Sequence, residues 1–525
     1  MKKFCLLLIV CMLLTACNNA PAETTEAALT TEATAAPQPT APAVNSPCTN
    51  HVDADNNSYC DVCEKYILIN IDFYTVNDLH GKIADDDANT HPGVDELSTF
   101  FKNARKSDIN VILLSAGDMW QGTSESNLTQ GLLATDWMNS MGFAAMTLGN
   151  HEFDWGEEPI EENFNLAQFP FLAINIYDRE TKKQVSYCQN SHVVDLGTVQ
   201  IGIIGAIGDC YSSISADKVE DVYFITGDDL TQLVMDESEK LRNKGVDYIV
   251  YVLHDGYDQD KSGSNVTAIT GNKIHSYYDT KLSNGYVDLV FEGHSHKGYV
   301  LKDEYGVHHL QGKGDNQAIS HVEIVLNAAT LESTVNVAEL IPTGQYAKLD
   351  DHPIVEELLE KYKDDISKSD EVLGVTSKYR DSYAMRNKTA ELYYKTGKQL
   401  WGNEYNIVLG GGFMSARSPY DLQIGEVTYG MLYSIFPFDN SLVLCSIKGR
   451  DLQKRFLDND DGRYFIYYDQ NLRSNLDPDG TYYIVTDTYS SLYGPNNLTE
   501  IQRYDEPVYA RDLLAEYIRN GGYDN

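Results

Sequence analysis

Five short segments of this chain concentrate carboxylate, carboxamide and imidazole side chains, the hard and borderline donors that hold divalent cations. In chain order they are Asn77-Asp78-Leu79-His80-Gly81, Gly117-Asp118, Gly149-Asn150-His151-Glu152-Phe153-Asp154, His254-Asp255-Gly256 and Gly293-His294-Ser295-His296. Each alone has a bland explanation, because Gly-Asp recurs by chance and a lone histidine is more often a satisfied core residue. Five together, each just beyond an apolar run, argue for a metal centre. The chemistry that such a donor set supports is metal-assisted hydrolysis, with cations polarising an ester and supplying hydroxide near neutral pH.

The elements that must position these segments read as an alternating α/β domain. Ile67–Phe73, Val111–Leu114, Ile201–Ile204, Tyr248–Leu253 and Val287–Phe291 are apolar runs of strand length, with helical stretches between several of them. In such folds ligands gather at the carboxyl ends of the strands, where all five segments fall. Near residue 345 the character changes. His352–Ser367 has the spacing of one amphipathic helix, through Ile354, Leu358 and Tyr362, and mixed strands and turns follow to a closing helix near Tyr509–Ile518.

The order and spacing of the five segments resemble the calcineurin-like metallophosphoesterases, and within them the bacterial 5′-nucleotidase / UDP-sugar hydrolase family. The resemblance runs from about Ile67 to the C-terminus. It implies a four-layer metallophosphoesterase β-sandwich flanked by helices (residues 66–345), a linker helix (346–368) and a smaller α+β substrate-binding domain (369–525). It implies that Asp78, His80 and His296 hold one metal, that Asn150, His254 and His294 hold the other, and that Asp118 bridges them. Two divalent ions carry four positive charges, of which Asp78 and Asp118 cancel two, so the remainder would attract a phosphate dianion. A hydroxide held between ions roughly 3.5–4 Å apart could then attack phosphorus in line. The resemblance makes His151 and Asp154 a catalytic dyad, in which the carboxylate fixes the imidazole tautomer and raises its proton affinity. Asp154 as a mere helix cap is the structural alternative. Zinc, manganese, iron or cobalt would suit the donors.

On the substrate side, Gly410-Gly411-Gly412 with Arg417, and Phe436-Pro437-Phe438-Asp439-Asn440, look like the family's substrate-binding segments. A glycine turn would let the backbone approach a ligand, and Arg417 would offer planar donors to phosphate. Phe438 would stack on a base and Asn440 would bond its edge; core packing is the alternative for Phe438. The chain departs from the family here. Leu409 stands where an Asn is usual, the step to Arg417 is longer, and no Gly-Gly-Asp-Gly run follows the second aromatic. Tyr489 is the better second aromatic by position, Tyr493 the next, and Arg386 is a second phosphate-ligand candidate.

Composition limits the partners. With 40 basic and 78 acidic residues the 525-residue chain carries a formal charge of −38, which excludes a broad nucleic-acid-binding face. Lys2 and Lys3 precede an apolar run ending in Leu14-Thr15-Ala16-Cys17, which resembles a bacterial lipoprotein processing site: a signal peptide over 1–17, with Cys17 taking the lipid. Residues 18–47, almost wholly Ala, Thr, Pro and Glu, read as a disordered tether.

Residues 48–65 form a separate knuckle. Cys48, His51, Cys60 and Cys63 have the spacing of a small zinc site, Asp53 to Glu64 has the oxygen spacing of a calcium loop without its glycine at Ser58, and an oxidising compartment would allow a disulfide. The expectation is therefore a monomeric, lipid-anchored, extracytoplasmic phosphohydrolase with two divalent metal ions, acting on nucleoside 5′-monophosphates. 2′,3′-Cyclic nucleotides, UDP-sugars and dinucleotides are alternative substrates for the same site, and a ligand-binding surface lipoprotein is the non-enzymatic alternative.

Overall fold

Apolar runs between residues 67 and 342 build two six-stranded sheets. The first has the order Ser333–Pro342, Ala318–Asn327, Leu68–Val76, Asn110–Ser115, Ala145–Thr147 and Phe171–Leu172. The second has the order Tyr299–Lys302, His308–Gln311, Leu289–Glu292, Tyr248–His254, Gln200–Ile207 and Ser191–Asp195. Central strands run parallel in both, with Leu68–Val76 beside Asn110–Ser115 in one and Tyr248–His254 between Gln200–Ile207 and Leu289–Glu292 in the other. The computed structural model of the chain describes residues 48, 51–85, 92–107, 110–256, 278–412, 421–458, 464–493, 498–504 and 506–523. The chain divides into two units, Met1–Ser46 and Pro47–Asn525, and all described residues lie in the second. The signal, Cys17 and tether expectations therefore fall outside the described residues, as does Arg417. No helix among the described residues is long and apolar enough to cross a membrane.

Both faces of the central strands are covered, which is why Asn110–Ser115, Gln200–Ile207 and Tyr248–His254 are largely buried, whereas the edge strand Tyr299–Lys302 alternates and Ser333–Pro342 is largely exposed or half-buried. Phe73, Ile112, Leu114, Ile203, Val250 and Phe291 fill the space between the sheets. Helices Asp95–Ala104 and Leu132–Met141 cover the outer face of the first sheet through Phe101, Trp137 and Met138. Helix Gly227–Asn243 covers the second through Leu230, Val234 and Leu241. These are the four layers expected of the β-sandwich.

The linker is not one helix. Helix Ile354–Lys361 stops at Tyr362, a short turn Lys363–Ile366 follows, and Ser367–Asp370 is a 3-10 turn. Tyr362 leaves helical geometry (φ −98°, ψ 10°) while its hydroxyl donates to Asp136 at 3.0 Å, so a tertiary anchor interrupts the amphipathic repeat.

Beyond it, a five-stranded sheet has the order Phe465–Tyr468, Ile407–Gly412, Thr481–Asp487, Leu442–Lys448 and Thr499–Arg503. Helix Ser382–Trp401 packs on it, and helix Ala510–Arg519 closes the chain as expected. The three glycines correct the sequence reading. Gly410, Gly411 and Gly412 lie inside the buried strand Ile407–Gly412, not in a turn. A Cβ on Gly410 would stand 2.2 Å from Tyr394 N and 2.7 Å from Ala390 O, so the missing side chain lets the helix lie directly on the strand. Gly410→Ala should push the two apart and destabilise the protein by about 1–3 kcal/mol, read as a lower unfolding midpoint by circular dichroism.

Candidate metal centre

Each expected ligand follows the carboxyl end of a strand. Asp78 and His80 follow Leu68–Val76, Asp118 follows Asn110–Ser115 and Asn150 follows Ala145–Thr147, all from the first sheet. From the second, His254 ends Tyr248–His254, and His294 and His296 follow Leu289–Glu292. The two sets meet. His80 Nε2 and His296 Nε2 lie 3.0 Å apart, and His296 Nε2 lies 3.4 Å from Asp78 Oδ1. Asn150 Oδ1 faces His294 Nδ1 at 2.9 Å and His254 Nε2 at 3.2 Å, and His254 Nε2 also faces Asp118 Oδ2 at 3.2 Å.

The surroundings aim the imidazoles. His80 Nδ1 donates to Gln121 O at 2.7 Å and His254 Nδ1 donates to Ala116 O at 2.6 Å, which leaves each Nε2 lone pair turned towards the centre. His294 N donates to both Asp78 carboxylate oxygens, at 3.0 and 2.9 Å. The site is electrostatically coupled. Burial would raise the Asp118 carboxyl, yet the facing His254 and His151 imidazoles hold it well below the usual range. Burial opposes charge on His254, but Asp118 and Asp78 push it up to about 10.

Beside the centre is a cavity of about 250 Å³. Asn150, His151, Asp154 and His294 line one side, and Phe438, Asn440 and Tyr489 line it from the C-terminal part of the chain. His151 Nδ1 donates to Asp154 Oδ2 at 2.8 Å, and the His151 and Phe438 rings lie 5.7 Å apart. Phe438 is thus at the cavity rather than in the core. Arg386 lies elsewhere, its guanidinium carbon 4.8 Å from the centre of the Phe465 ring, and is not among the lining side chains. The four knuckle residues Cys48, His51, Cys60 and Cys63 converge as a separate group.

Residues 71–298 match the family described as calcineurin-like phosphoesterase. This stretch is similar to the calcineurin-like phosphoesterases. Among curated relatives it is 26% identical over 407 residues to the endonuclease YhcR of Bacillus subtilis, covering 72% of this chain and 32% of that protein. It is 24% identical over 421 residues to the 5′-nucleotidase of Diplobatis ommata, covering 72% of this chain and 69% of that one. The chain thus spans about a third of the endonuclease's length and about two thirds of the nucleotidase's. A solved 5′-nucleotidase precursor from Thermus thermophilus superposes with a TM-score of 0.64 at 20% identity, covering 86% of this chain and 97% of that one.

The matched family implies divalent metals. The residues fit them. Asp118 Oδ2 is buried with no hydrogen-bond donor, at the meeting point of carboxylate, carboxamide and imidazole atoms that lie close enough to share cations.

Several residues that build the site escaped sequence reasoning. Glu152 is fully buried and accepts from three backbone amides: Gly149 N (2.7 Å) and Asp118 N (2.9 Å) on Oε2, and Met119 N (2.8 Å) on Oε1. It therefore ties the Asp118 loop to the Asn150 loop. Its place between Asn150 and Asp154 was visible, but nothing in sequence marks a carboxylate as an amide clamp. Gln311 Nε2 donates to Ser295 Oγ (2.6 Å) and Lys297 O (2.9 Å), holding the loop of His294 and His296. Arg511, from the closing helix, donates to Phe438 O at 3.2 Å and pairs with Asp439, fixing the loop of Phe438 and Asn440. Ser213, Ser215, Asp217 and Lys218 complete the cavity wall. Replacing Glu152 with Ala leaves three buried amides without an acceptor, and should cost at least about 3 kcal/mol in denaturant unfolding.

Proposed function

We propose that the chain releases phosphate from nucleoside 5′-monophosphates outside the cytoplasm, with Asp78, His80, His296, Asn150, His254, His294 and Asp118 holding two divalent metals. The division into a catalytic domain (66–345), a linker (346–368) and a substrate domain (369–525) is part of this reading. So is a lipid anchor at Cys17, followed by the 18–47 tether. The observation that carries the substrate class is the cavity where His151, Asn150 and His294 meet Phe438, Asn440 and Tyr489. A planar base needs aromatic faces and an edge partner, and a phosphate needs the cationic end, so one cavity serves both halves of a nucleotide.

When bound, divalent ions supply Lewis acidity and lower the pKa of a water molecule. The chain's own residues do the rest. Phe438 and Tyr489 present aromatic rings for the base, and Asn440 offers both a donor and an acceptor to its edge. Lys218, on the same wall, adds positive charge for phosphate oxygens. Asp154 holds His151 in one tautomer, with Nδ1–H bonded, so the other ring nitrogen is the one that can carry a proton towards the leaving oxygen.

The test is phosphate release from AMP by the full chain with manganese or zinc. Activity should vanish on chelation and in Asp118→Ala, and a Cys17→Ala chain should carry it in the soluble fraction instead of the membrane. The endonuclease among the relatives supplies the competing reading. Cleavage of bis(p-nitrophenyl) phosphate or a 2′,3′-cyclic nucleotide, with AMP untouched, would replace the monoester assignment by a diester one. Phe438→Ala should raise KM for AMP roughly tenfold, the loss of about 1.4 kcal/mol of stacking, with kcat nearly unchanged.

A further inference from the structure

Residues 48–66 cannot be held together by apolar burial. The large apolar side chains of this stretch face solvent: Val52 is 46% exposed, Tyr59 52%, Val62 69% and Tyr66 47%. The buried side chains are instead Cys60, with no exposure, and His51. A segment this short with no core of its own needs a cross-link or a metal.

The ligand atoms of Cys48, His51, Cys60 and Cys63 all lie within 4.8 Å of one another. Cys48 Sγ is 3.9 Å from Cys60 Sγ, and Cys63 Sγ is 3.5 Å from His51 Nδ1. Zn–S bonds of about 2.3 Å and Zn–N bonds of about 2.05 Å, set at tetrahedral angles, give edges of about 3.8 Å between sulfurs and about 3.6 Å from sulfur to nitrogen. Both observed distances match those edges. A disulfide would instead need sulfurs about 2.05 Å apart.

The backbone is folded to serve the sulfurs. Asp61 N donates to Val52 O at 2.7 Å, joining the Cys48–His51 arm to the Cys60–Cys63 arm, and Glu64 N donates to Cys60 O at 2.8 Å in a tight turn. The calcium alternative is weaker, because the oxygens that it would need are already engaged. Asp53 accepts from Asn57 N (2.9 Å) and Ser58 N (3.0 Å), and Asp61 accepts from Ala54 N (2.8 Å).

We propose that Cys48, His51, Cys60 and Cys63 bind one structural zinc ion, separate from the catalytic centre. Cys60 packs into the core between the two sheets, with Ile67, Val199 and Ala328. Ile67 and Val199 precede the strands Leu68–Val76 and Gln200–Ile207, whereas the metal ligands follow the opposite ends of the parallel strands. The zinc knuckle therefore plugs the end of the sandwich remote from the active site.

Cobalt is the probe, because thiolates bound to tetrahedral cobalt give an intense near-ultraviolet charge-transfer absorption that oxygen and imidazole ligands do not. The full chain loaded with Co²⁺ should show this band, and Zn²⁺ should displace it. Cys60→Ser should abolish it while Cys210→Ser, a thiol beside the catalytic ligands His254 and His294, should leave it intact. His51→Cys should keep the metal with a stronger band, which separates loss of a ligand from loss of fold. Absence of the band in the wild type, its survival in Cys60→Ser, a disulfide among the knuckle cysteines in the intact mass, or protection of the segment from proteolysis by Ca²⁺ alone would each overturn the proposal.

Discussion

Asp78, His80, Asp118, His294 and His296 all sit in the left-handed region, with φ between 50° and 73°. A non-glycine residue held there costs about 1–3 kcal/mol and persists only where its surroundings over-determine it. Here the surroundings do so. Asp78 N donates to Gly117 O (2.9 Å) and His80 N to Asp118 O (3.1 Å), so the ligand loops go on pairing after their strands have ended. The Asp78 carboxylate holds His294 N, and the Glu152 carboxylate gathers the amides of Gly149, Asp118 and Met119. Turning a side chain sharply inward at a strand end is what the left-handed conformation provides, and the rest of the fold keeps those turns in place.

The same loops seat the C-terminal part of the chain. Thr123 N donates to His80 O at 3.2 Å, and the short helix Ser124–Leu128 begins at the next residue. Against that helix lies Tyr429–Ile435, with Ser369 Oγ donating to Ser124 Oγ at 2.5 Å and Asn127 Nδ2 donating to Pro437 O at 3.5 Å. Phe438 follows directly. The aromatic wall of the cavity is therefore referenced to the same backbone that carries His80 and Asp118.

What could be read from the sequence follows from the range of the interactions involved. The proposed metal ligands were legible because their types are rare outside function, and most of them close a strand whose apolar run is itself visible. The strand Ala145–Thr147 before Asn150 was not, since three residues are too few for a period to show. Glycine was ambiguous at Gly410, where the space it leaves serves helix–strand contact rather than a turn. Arg511 and Gln311 were invisible because each acts on a loop that only the tertiary fold brings near: Arg511 on Asp439, 72 residues away, and Gln311 on Ser295 across the strand Tyr299–Lys302.

The proposed ligand set draws Asp78, His80, Asp118 and Asn150 from one sheet and His254, His294 and His296 from the other. Between the sheets lies mostly side-chain packing, with a few hydrogen bonds such as Thr147 Oγ1 to Val252 O (3.2 Å), and packing resists separation better than it resists sliding. A slip of one residue along a strand, about 3.4 Å, would exceed the 2.9–3.2 Å gaps that Asn150 keeps to His294 and His254. Cation binding at this seam would act as a rivet, converting two stacked layers into one mechanical body whose alignment is set at the active site.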